Sequence, residues 1–240
     1  MNEEEYERMF LLEDFYWWFK GRRLIVRAAL KGVKIDKVLD VGCGTGGNLS
    51  LFNGFVVGVD VSMKALSLAR RRKKDALLCL GQAENLPFKD NSFDLVLALD
   101  LLEHLPDDMK GLSEMHRVLK KGGSLLITVP AYKFLWSEHD EALHHFRRYS
   151  KGEIKGKMEK AGFTIKFISH AIVLPFFPIA LFRLIQRLLK RKNEKPKTSL
   201  IILPPFLNDI LFKILKGEAN LIGKGISFPF GVSIICRGVK

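Results

Sequence analysis

The strongest chemical signal in the sequence is a glycine-rich turn at residues 42–47, directly after the short apolar run 38–41. Glycine lets the backbone pass close beneath a ligand and adopt torsion angles that other residues resist. The free N–H groups at the start of the next helix suit an anionic group. Asp60 ends the following apolar run, twenty residues after Asp40. Its carboxylate can accept hydrogen bonds from both hydroxyls of a ribose, so the pattern predicts a nucleoside-containing cofactor.

The glycines alone do not select that cofactor. Gly42, Gly44 and Gly47 also satisfy the dinucleotide pattern G-x-G-x-x-G, and an acidic residue at position 60 suits NAD equally well. An NAD-dependent oxidoreductase needs a second mononucleotide-binding half, and residues 171–226 contain no further strand–helix unit. The remaining alternative is a glycine turn that binds no ligand.

Apolar runs alternate with helical stretches along the chain. This order predicts an α/β fold with a doubly wound, mostly parallel sheet and right-handed crossovers. Ligands of such sheets bind beyond the carboxyl ends of the strands. The predicted strands are 38–41, 54–59, 76–80, 93–99, 124–129, 163–169 and 231–236, and the predicted core helices are 62–72, 106–119 and 150–161.

The same pattern divides the chain into four segments. Gly21 separates two N-terminal helices in this interpretation and would act as a hinge, while Gly217 would end the last helix. The segments are a helical lid (1–35), an α/β core (36–170), a helical, basic and amphipathic insertion (171–226) and the last strand of the sheet (227–240).

The insertion carries much of the formal net charge of +13, because residues 183–197 hold seven Lys or Arg against one Glu. A helix that starts at Pro178 would have an apolar face and a basic face. The apolar face would hold Leu181, Leu184, Ile185, Leu188 and Leu189, and the basic face Arg183, Arg187 and Lys190. Basic amphipathic helices are typical of proteins on anionic membrane surfaces. A helical pair that closes over a pocket, or a dimer contact, gives the same pattern.

The spacing of the cysteines and the charge of the N-terminus indicate the cellular location of the protein. Cys43, Cys79 and Cys236 are widely spaced and form neither a disulfide framework nor a zinc pattern. The N-terminus is acidic where a secretory signal would be basic. No apolar run reaches the roughly 18–20 residues that span a bilayer. We expect a cytoplasmic protein, peripheral to the membrane if the insertion binds one.

Four ordered motifs resemble class I S-adenosylmethionine-dependent methyltransferases of the group that includes ubiquinone and sterol methylating enzymes. They are LDVGCGTG (39–46), VGVDVS (57–62), GQAENLPFKDNSFDLVLALDLLEHL (81–105) and RVLKKGGSLLITVP (117–130). Their order is far more specific than a lone glycine loop. The resemblance implies S-adenosylmethionine as cofactor and methyl transfer to O, N or C of a small-molecule or lipid-like acceptor. The alternatives are an RNA or tRNA methyltransferase, the NAD-dependent oxidoreductase and a non-catalytic cofactor-binding protein. The first is disfavoured because the sequence shows no RNA-binding module.

The resemblance also implies cofactor contacts. Asp40 would fix the turn or the methionine ammonium group, Asp60 would bind the ribose, and Gln82 stands where the family more often has Asp. The core residues implied are Asp40, Gly42, Cys43, Gly44, Gly46, Asp60, Val61, Gln82, Ala83, Leu99 and Asp100. From the lid, Trp18 and Arg22 are added, since Arg22 or Arg23 could reach the methionine carboxylate. An amphipathic helix that simply packs its aromatic residues on the core is the alternative.

The loop after the fifth strand is rich in ionisable and aromatic residues and should lie beside the transferred methyl group. His139 or His145 would take a proton while Asp140 orients it, and His104, after the fourth strand, either reaches the acceptor or supports the site. The predicted acceptor contacts are Tyr132, Trp136, Arg148 and Tyr149. Similar W-S-x-H-D…H-x-R-R-Y patterns occur in methyltransferases encoded near glycan and lipid biosynthesis genes.

Two other interpretations of this loop stay open. One is a metal held by His139, Asp140 and His144, but their spacing matches no firm zinc signature, so no metal is predicted. The other is a structural network in which Arg147 or Arg148 pairs with an acidic residue of the loop.

Overall fold

The computed structural model describes residues 3–189 and 203–240. Seven strands form one sheet in the order β3-β2-β1-β4-β5-β7-β6, parallel except that β7 runs antiparallel to β5 and β6. The predicted α/β fold with a mostly parallel sheet is confirmed. The strands are β1 Lys37–Val41, β2 Phe55–Asp60, β3 Leu77–Leu80, β4 Phe93–Leu99, β5 Leu119–Pro130, β6 Thr164–Ala171 and β7 Ser233–Val239.

Helices cover both faces of this sheet. They are α1 Glu3–Leu12, α2 Trp17–Ala29, α3 Met63–Arg72, α4 Asp108–Val118, α5 Glu138–Ala142, α6 Lys151–Lys160, α7 Phe176–Leu189 and α8 Pro205–Ile222. Successive strand residues point to opposite faces, so Val38 and Leu95 enter one apolar cluster while Leu39 and Val96 enter the other. Strand order reverses between β1 and β4, and sheets of this kind bind ligands at such a point.

The N-terminal helices differ from the prediction at Gly21. The helical structure is interrupted between Leu12 and Trp17, whereas Gly21 lies inside α2. A Cβ on Gly21 would lie only 2.2 Å from Leu215 Cδ1 of α8. The hinge prediction was wrong, because this glycine allows two helices to approach closely. Gly217 likewise lies inside α8, which continues to Ile222.

The predicted apolar face of helix α7 is exposed to solvent. Leu181, Leu184 and Ile185 on this face are 60%, 41% and 44% exposed. Arg183, predicted on the opposite face, is buried, and its Nη1 donates to the Leu135 carbonyl at 3.0 Å. The hydrogen bond satisfies the carbonyl and turns this side of the helix toward the protein. The side chains of 187–189, with Lys190 and the basic run beyond it, lie outside the described residues.

None of the helices in the described part of the chain combines the length and the apolar composition required to cross a bilayer.

Candidate cofactor and acceptor site

The glycine turn is held against the second strand. Gly42 and Gly44 have φ angles of 71° and 52°, in the left-handed region that favours glycine. The N–H groups of Gly42 and Cys43 both donate to the Val59 carbonyl, at 2.8 and 2.9 Å. The turn therefore lies at the carboxyl ends of β1 and β2, beside the point where the strand order reverses.

Asp60 closes this turn from the end of β2. Its buried Oδ2 accepts a hydrogen bond from the Gly44 N–H at 2.8 Å, and Oδ1 accepts one from the Ser62 N–H at 2.9 Å. Burial raises the pKa of Asp60, and the N–H donors of Ser62 and Gly44 oppose that rise. The next residue, Val61, is 67% exposed. A carboxylate and an open apolar side chain therefore stand together at this strand end.

Asp40 is a buried carboxylate at the base of the turn with one oxygen unpaired. It is 1% exposed, and Oδ2 has no hydrogen-bond partner within the described ranges. Burial, helped by the nearby Asp60 and Glu13, raises the pKa of Asp40 to about 8. An unpaired buried polar group costs free energy. A ligand that brings positive charge to the turn would therefore be stabilised here.

Glu13, just after α1, reaches the turn from the N-terminal segment, a contact that the sequence analysis missed. Its Oε2 accepts a hydrogen bond from Thr45 Oγ1 at 2.5 Å and lies 3.0 Å from Arg72 Nη1. A Cβ on Gly47 would lie 2.7 Å from the Glu13 carboxylate. The link between α1 and α2 thus covers the turn. One acidic residue just after a helix gives no sequence signal for such a contact.

Arg22 of α2 lies at the carboxyl edge of the sheet, where it forms an ion pair with Asp100. Its Nη2 donates to Thr128 Oγ1 at 3.0 Å, and that hydroxyl donates to Asp100 Oδ1 at 2.8 Å. Helix α2 is therefore fastened across the ends of β4 and β5. Trp18 packs edge-on against Trp17, with ring centroids 5.5 Å apart. Its contact with a cofactor stays a prediction.

Asp140 organises the loop at residues 131–149. It is fully buried and accepts hydrogen bonds from Arg148 Nε at 2.8 Å, His145 Nδ1 at 2.9 Å and the Ser137 N–H at 2.9 Å. Burial alone would raise the pKa of Asp140, but His145 and the Arg148 guanidinium together hold it well below its usual value. The structural network expected as an alternative is present, with Arg148 as the partner of Asp140.

The histidines of the loop and of the β4 end meet at one point. The His104 and His145 rings contact edge to face, with centroids 4.6 Å apart. Burial, with the neighbouring His145, lowers the pKa of His104 to about 4. Burial, with Arg183, lowers the pKa of His139 to about 3. His139 is consequently a weak base at neutral pH.

Two predicted acceptor contacts need correction. Arg148 and Tyr149 are each 2% exposed. Arg148 is bound to Asp140 and to the Ala131 carbonyl, while the Tyr149 hydroxyl donates to Asp108 Oδ2 at 2.7 Å. Both side chains support the loop and leave no face for a ligand. The aromatic and charged residue types suggested binding because the sequence does not show which way they point.

Tyr132 and Trp136 remain partly exposed on this loop. The Tyr132 ring stacks on His170 at 5.1 Å and meets Phe176 of α7 at 5.8 Å. The alternative metal set is not assembled: among the residues that the structure describes, the histidine and carboxylate atoms close enough to share an ion belong to Glu103, His104 and His145.

Comparison with known proteins identifies the core. The family described as a methyltransferase domain matches residues 39–127. A probable S-adenosylmethionine-dependent methyltransferase of Mycolicibacterium smegmatis is 30% identical over 161 residues, 65% of this chain and 62% of that protein. Residues 39–127 therefore form a methyltransferase domain, and the chain is similar to class I S-adenosylmethionine-dependent methyltransferases. The family resemblance and the cofactor expected from the sequence are thereby confirmed.

Other similar proteins cover different shares of the chain. Demethylmenaquinone methyltransferase of Paenarthrobacter aurescens is 38% identical over 130 residues, 50% of this chain and 51% of that protein. A Thermotoga maritima structure described as an S-adenosylmethionine-dependent methyltransferase, possible histamine N-methyltransferase, has a TM-score of 0.60 at 22% identity, covers 99% of this chain and 95% of its own, and supports the fold alone. The chain spans about half to two thirds of the length of the curated relatives it matches.

The residues present fit the cofactor of this methyltransferase family. The unpaired Asp40 oxygen suits a cationic ligand, and the glycine turn lets the backbone approach it closely. The remaining predicted contacts also follow carboxyl ends of strands: Gln82 is exposed and Ala83 buried after β3, while Leu99 ends β4. Their roles stay proposals.

Proposed function

We propose that this methyltransferase transfers a methyl group from S-adenosylmethionine to a small, lipid-like acceptor held under the loop at residues 131–149. The observation that carries the proposal is the position of this loop. It follows β5 at the carboxyl edge of the sheet, and it is joined to α7, whose outer face is apolar, through Arg183 and Leu135.

Residues of the turn would hold the cofactor. Asp60 would accept the ribose hydroxyls, Asp40 would face the methionine ammonium group, and Arg22 would face the methionine carboxylate. Val61 offers an open apolar surface for the adenine. When bound, the cofactor supplies an activated methyl group, which requires an aligned nucleophile and exclusion of water. The α1–α2 link, through Glu13, and Arg22 close the site on that side.

His104 and His145 are the predicted catalytic residues best placed for the acceptor. Asp140 is occupied by Arg148 and therefore positions His145 instead of collecting a proton. The lowered pKa values of His139 and His104 make both poor proton acceptors, so His104 would orient the acceptor and would not take its proton. The acceptor end would thus be built from the β4 terminus and the distal part of the loop.

A lipid-like acceptor is favoured by helix α7. Phe177, Leu181, Leu184 and Ile185 share a face at helical spacing and are all at least 41% exposed. Such a face beside an acceptor loop suits a protein that takes its substrate from a membrane surface, and the net charge of +13 favours an anionic one. Demethylmenaquinone, an isoprenoid quinone, appears in the names of several relatives.

The test uses the full chain with methyl-labelled S-adenosylmethionine and three acceptor pools: short-chain quinols and isoprenoid phenols in anionic vesicles, water-soluble amines, and tRNA. We expect label in the organic-extractable fraction of the first pool. Transfer to tRNA alone would establish the RNA methyltransferase alternative. Binding of NADH without binding of S-adenosylhomocysteine would overturn the cofactor assignment.

A further inference from the structure

Glu103 is a buried carboxylate at the acceptor end with no partner for either oxygen. It lies in the short turn Leu102–His104 after β4 and is fully buried. Neither Oε1 nor Oε2 has a hydrogen-bond partner in the portion of the chain that the structure describes. An ionised carboxylate in such a place is unfavourable unless a counterion, a donor or a metal stabilises it; otherwise the group takes up a proton.

Two imidazoles stand beside this carboxylate. A carboxylate oxygen of Glu103 and one ring nitrogen each of His104 and His145 all lie within 4.8 Å of one another. Forty residues separate His104 from His145 in the sequence. The contact arises because the loop folds back over the β4 end, where the Phe146 N–H donates to the Glu103 carbonyl at 2.7 Å.

His145 is already arranged as metal-binding histidines usually are. Its Nδ1 is 2.9 Å from Asp140 Oδ1. Because Arg148 keeps Asp140 ionised, that carboxylate accepts and Nδ1 donates, so Nε2 is the ring nitrogen that would bind a metal. Histidines that bind metals generally donate their other ring N–H to a carboxylate or carbonyl in this way.

We propose that Glu103, His104 and His145 bind one divalent transition-metal ion, of which Zn²⁺ is the representative. Two imidazoles and one carboxylate are a donor set for such ions, and three protein ligands leave a position open to an outside oxygen. With metal–ligand distances of about 2.1 Å, ligand atoms stand about 3.4 Å apart. The side chains would close in by about an ångström, and the unpaired Glu103 carboxylate is free to do so.

The ion would bind and activate the methyl acceptor. This role rests on the proposed function: an acceptor hydroxyl on the open position would lose its proton more readily and would be oriented toward the methyl group. Metal binding itself depends only on the three side chains and can be measured without any acceptor.

The experiment measures binding of Zn²⁺, Mn²⁺ and Co²⁺ to the EDTA-stripped full chain, by calorimetry and by elemental analysis after dialysis. We expect one ion per chain for the wild type. Glu103→Gln and His145→Gln should each weaken binding by at least ~100-fold, more than is usual for loss of a residue that only hydrogen-bonds to a metal ligand. His144→Gln, the exposed neighbour of His145, is the matched control and should bind as the wild type does.

Folding and cofactor binding are monitored in the same samples. Metal-free Glu103→Gln should melt no lower than metal-free wild type, because it replaces an unpaired buried carboxyl group with an amide of the same shape, and it should still bind S-adenosylhomocysteine. Saturating metal should raise the melting temperature of the wild type and of His144→Gln, but not that of Glu103→Gln or His145→Gln. Absence of wild-type binding, or equal metal affinity in the wild type and both ligand variants, would overturn the site. Metal binding without methyl transfer would leave the site standing and reject the proposed function.

Discussion

Arg22 of α2 and Asp100 at the end of β4 form an ion pair that joins the N-terminal helices to the sheet edge where the strand order reverses. The pair brings a guanidinium to the end of the site where the methionine carboxylate is expected. Together with the packing of α2 against α8, this pair should contribute to how firmly the N-terminal segment covers the cofactor.

Replacing Arg22 with Met should weaken S-adenosylhomocysteine binding about tenfold, equivalent to about 1.4 kcal/mol. The variant loses the charge that faces the carboxylate and the hydrogen bond to Thr128. Calorimetric titration measures the change. Arg27→Gln, an exposed arginine of the same helix, is the control and should bind normally. Equal affinities for all three proteins would remove Arg22 from the cofactor site.

The raised pKa of Asp40, about 8 against 3.8 for an ordinary carboxyl, predicts proton release on cofactor binding. Between those values the unliganded folded protein keeps a proton that the unfolded chain has lost, so this group makes stability fall as pH rises. A ligand with an ammonium group favours the ionised carboxylate. Affinity for S-adenosylhomocysteine should therefore rise between pH 6 and 8, by up to about tenfold per unit.

Calorimetry in buffers of different ionisation enthalpy measures this proton directly. Asp40→Asn should abolish the proton release, whereas Asp75→Asn, on an exposed carboxylate, should retain it. Identical binding heats in all buffers for the wild type would show that Asp40 does not change its ionisation.

The outer face of α7 predicts binding to vesicles. Each Leu or Ile side chain that leaves water contributes about 1.5 kcal/mol or more, so Leu181→Ser with Ile185→Ser should weaken binding to anionic vesicles about 100-fold. Unfolding free energy should change by less than about 0.5 kcal/mol, because both residues are exposed. Sedimentation with vesicles at low salt measures binding.

The control is a matched pair on the edge strand β3, Leu77→Ser with Leu80→Ser, which are also exposed. Wild-type protein that stays in the supernatant, or equal sedimentation of both double variants, would exclude α7 as the membrane contact.

Short sequence patterns were enough to predict the strands of the sheet and the glycine turn, because neighbouring residues determine these features. An apolar strand that ends in glycines specifies the turn, and Asp60 follows because the next strand must end at the same edge. The four motifs lie in this half of the chain, and for that reason the cofactor and the sheet could be inferred.

Contacts made across long sequence separations could not be inferred. Periodicity shows that α7 has an apolar face, but not that this face points outward while Arg183, on the other side, donates to the Leu135 carbonyl. The pairing of Glu13 with Thr45 and the meeting of Glu103 with His145 depend on how distant segments fold back. Arg148 and Tyr149 show the same limit, since residue type does not reveal the direction of a side chain.

Gly21 and Gly217 are both inside helices, yet they should respond to alanine in opposite directions. A Cβ at Gly21 would collide with Leu215, whereas one at Gly217 meets nothing within 4 Å. Gly21→Ala should cost about 1–3 kcal/mol of unfolding free energy through overpacking. Gly217→Ala should instead stabilise the protein by up to about 1 kcal/mol, because alanine is the better helix former. Urea unfolding measures both. In a double-mutant cycle, Leu215→Ala should absorb most of the Gly21→Ala penalty, since it removes the atoms that collide. A Gly21→Ala variant as stable as Gly217→Ala would mean that α2 and α8 are not packed at this point.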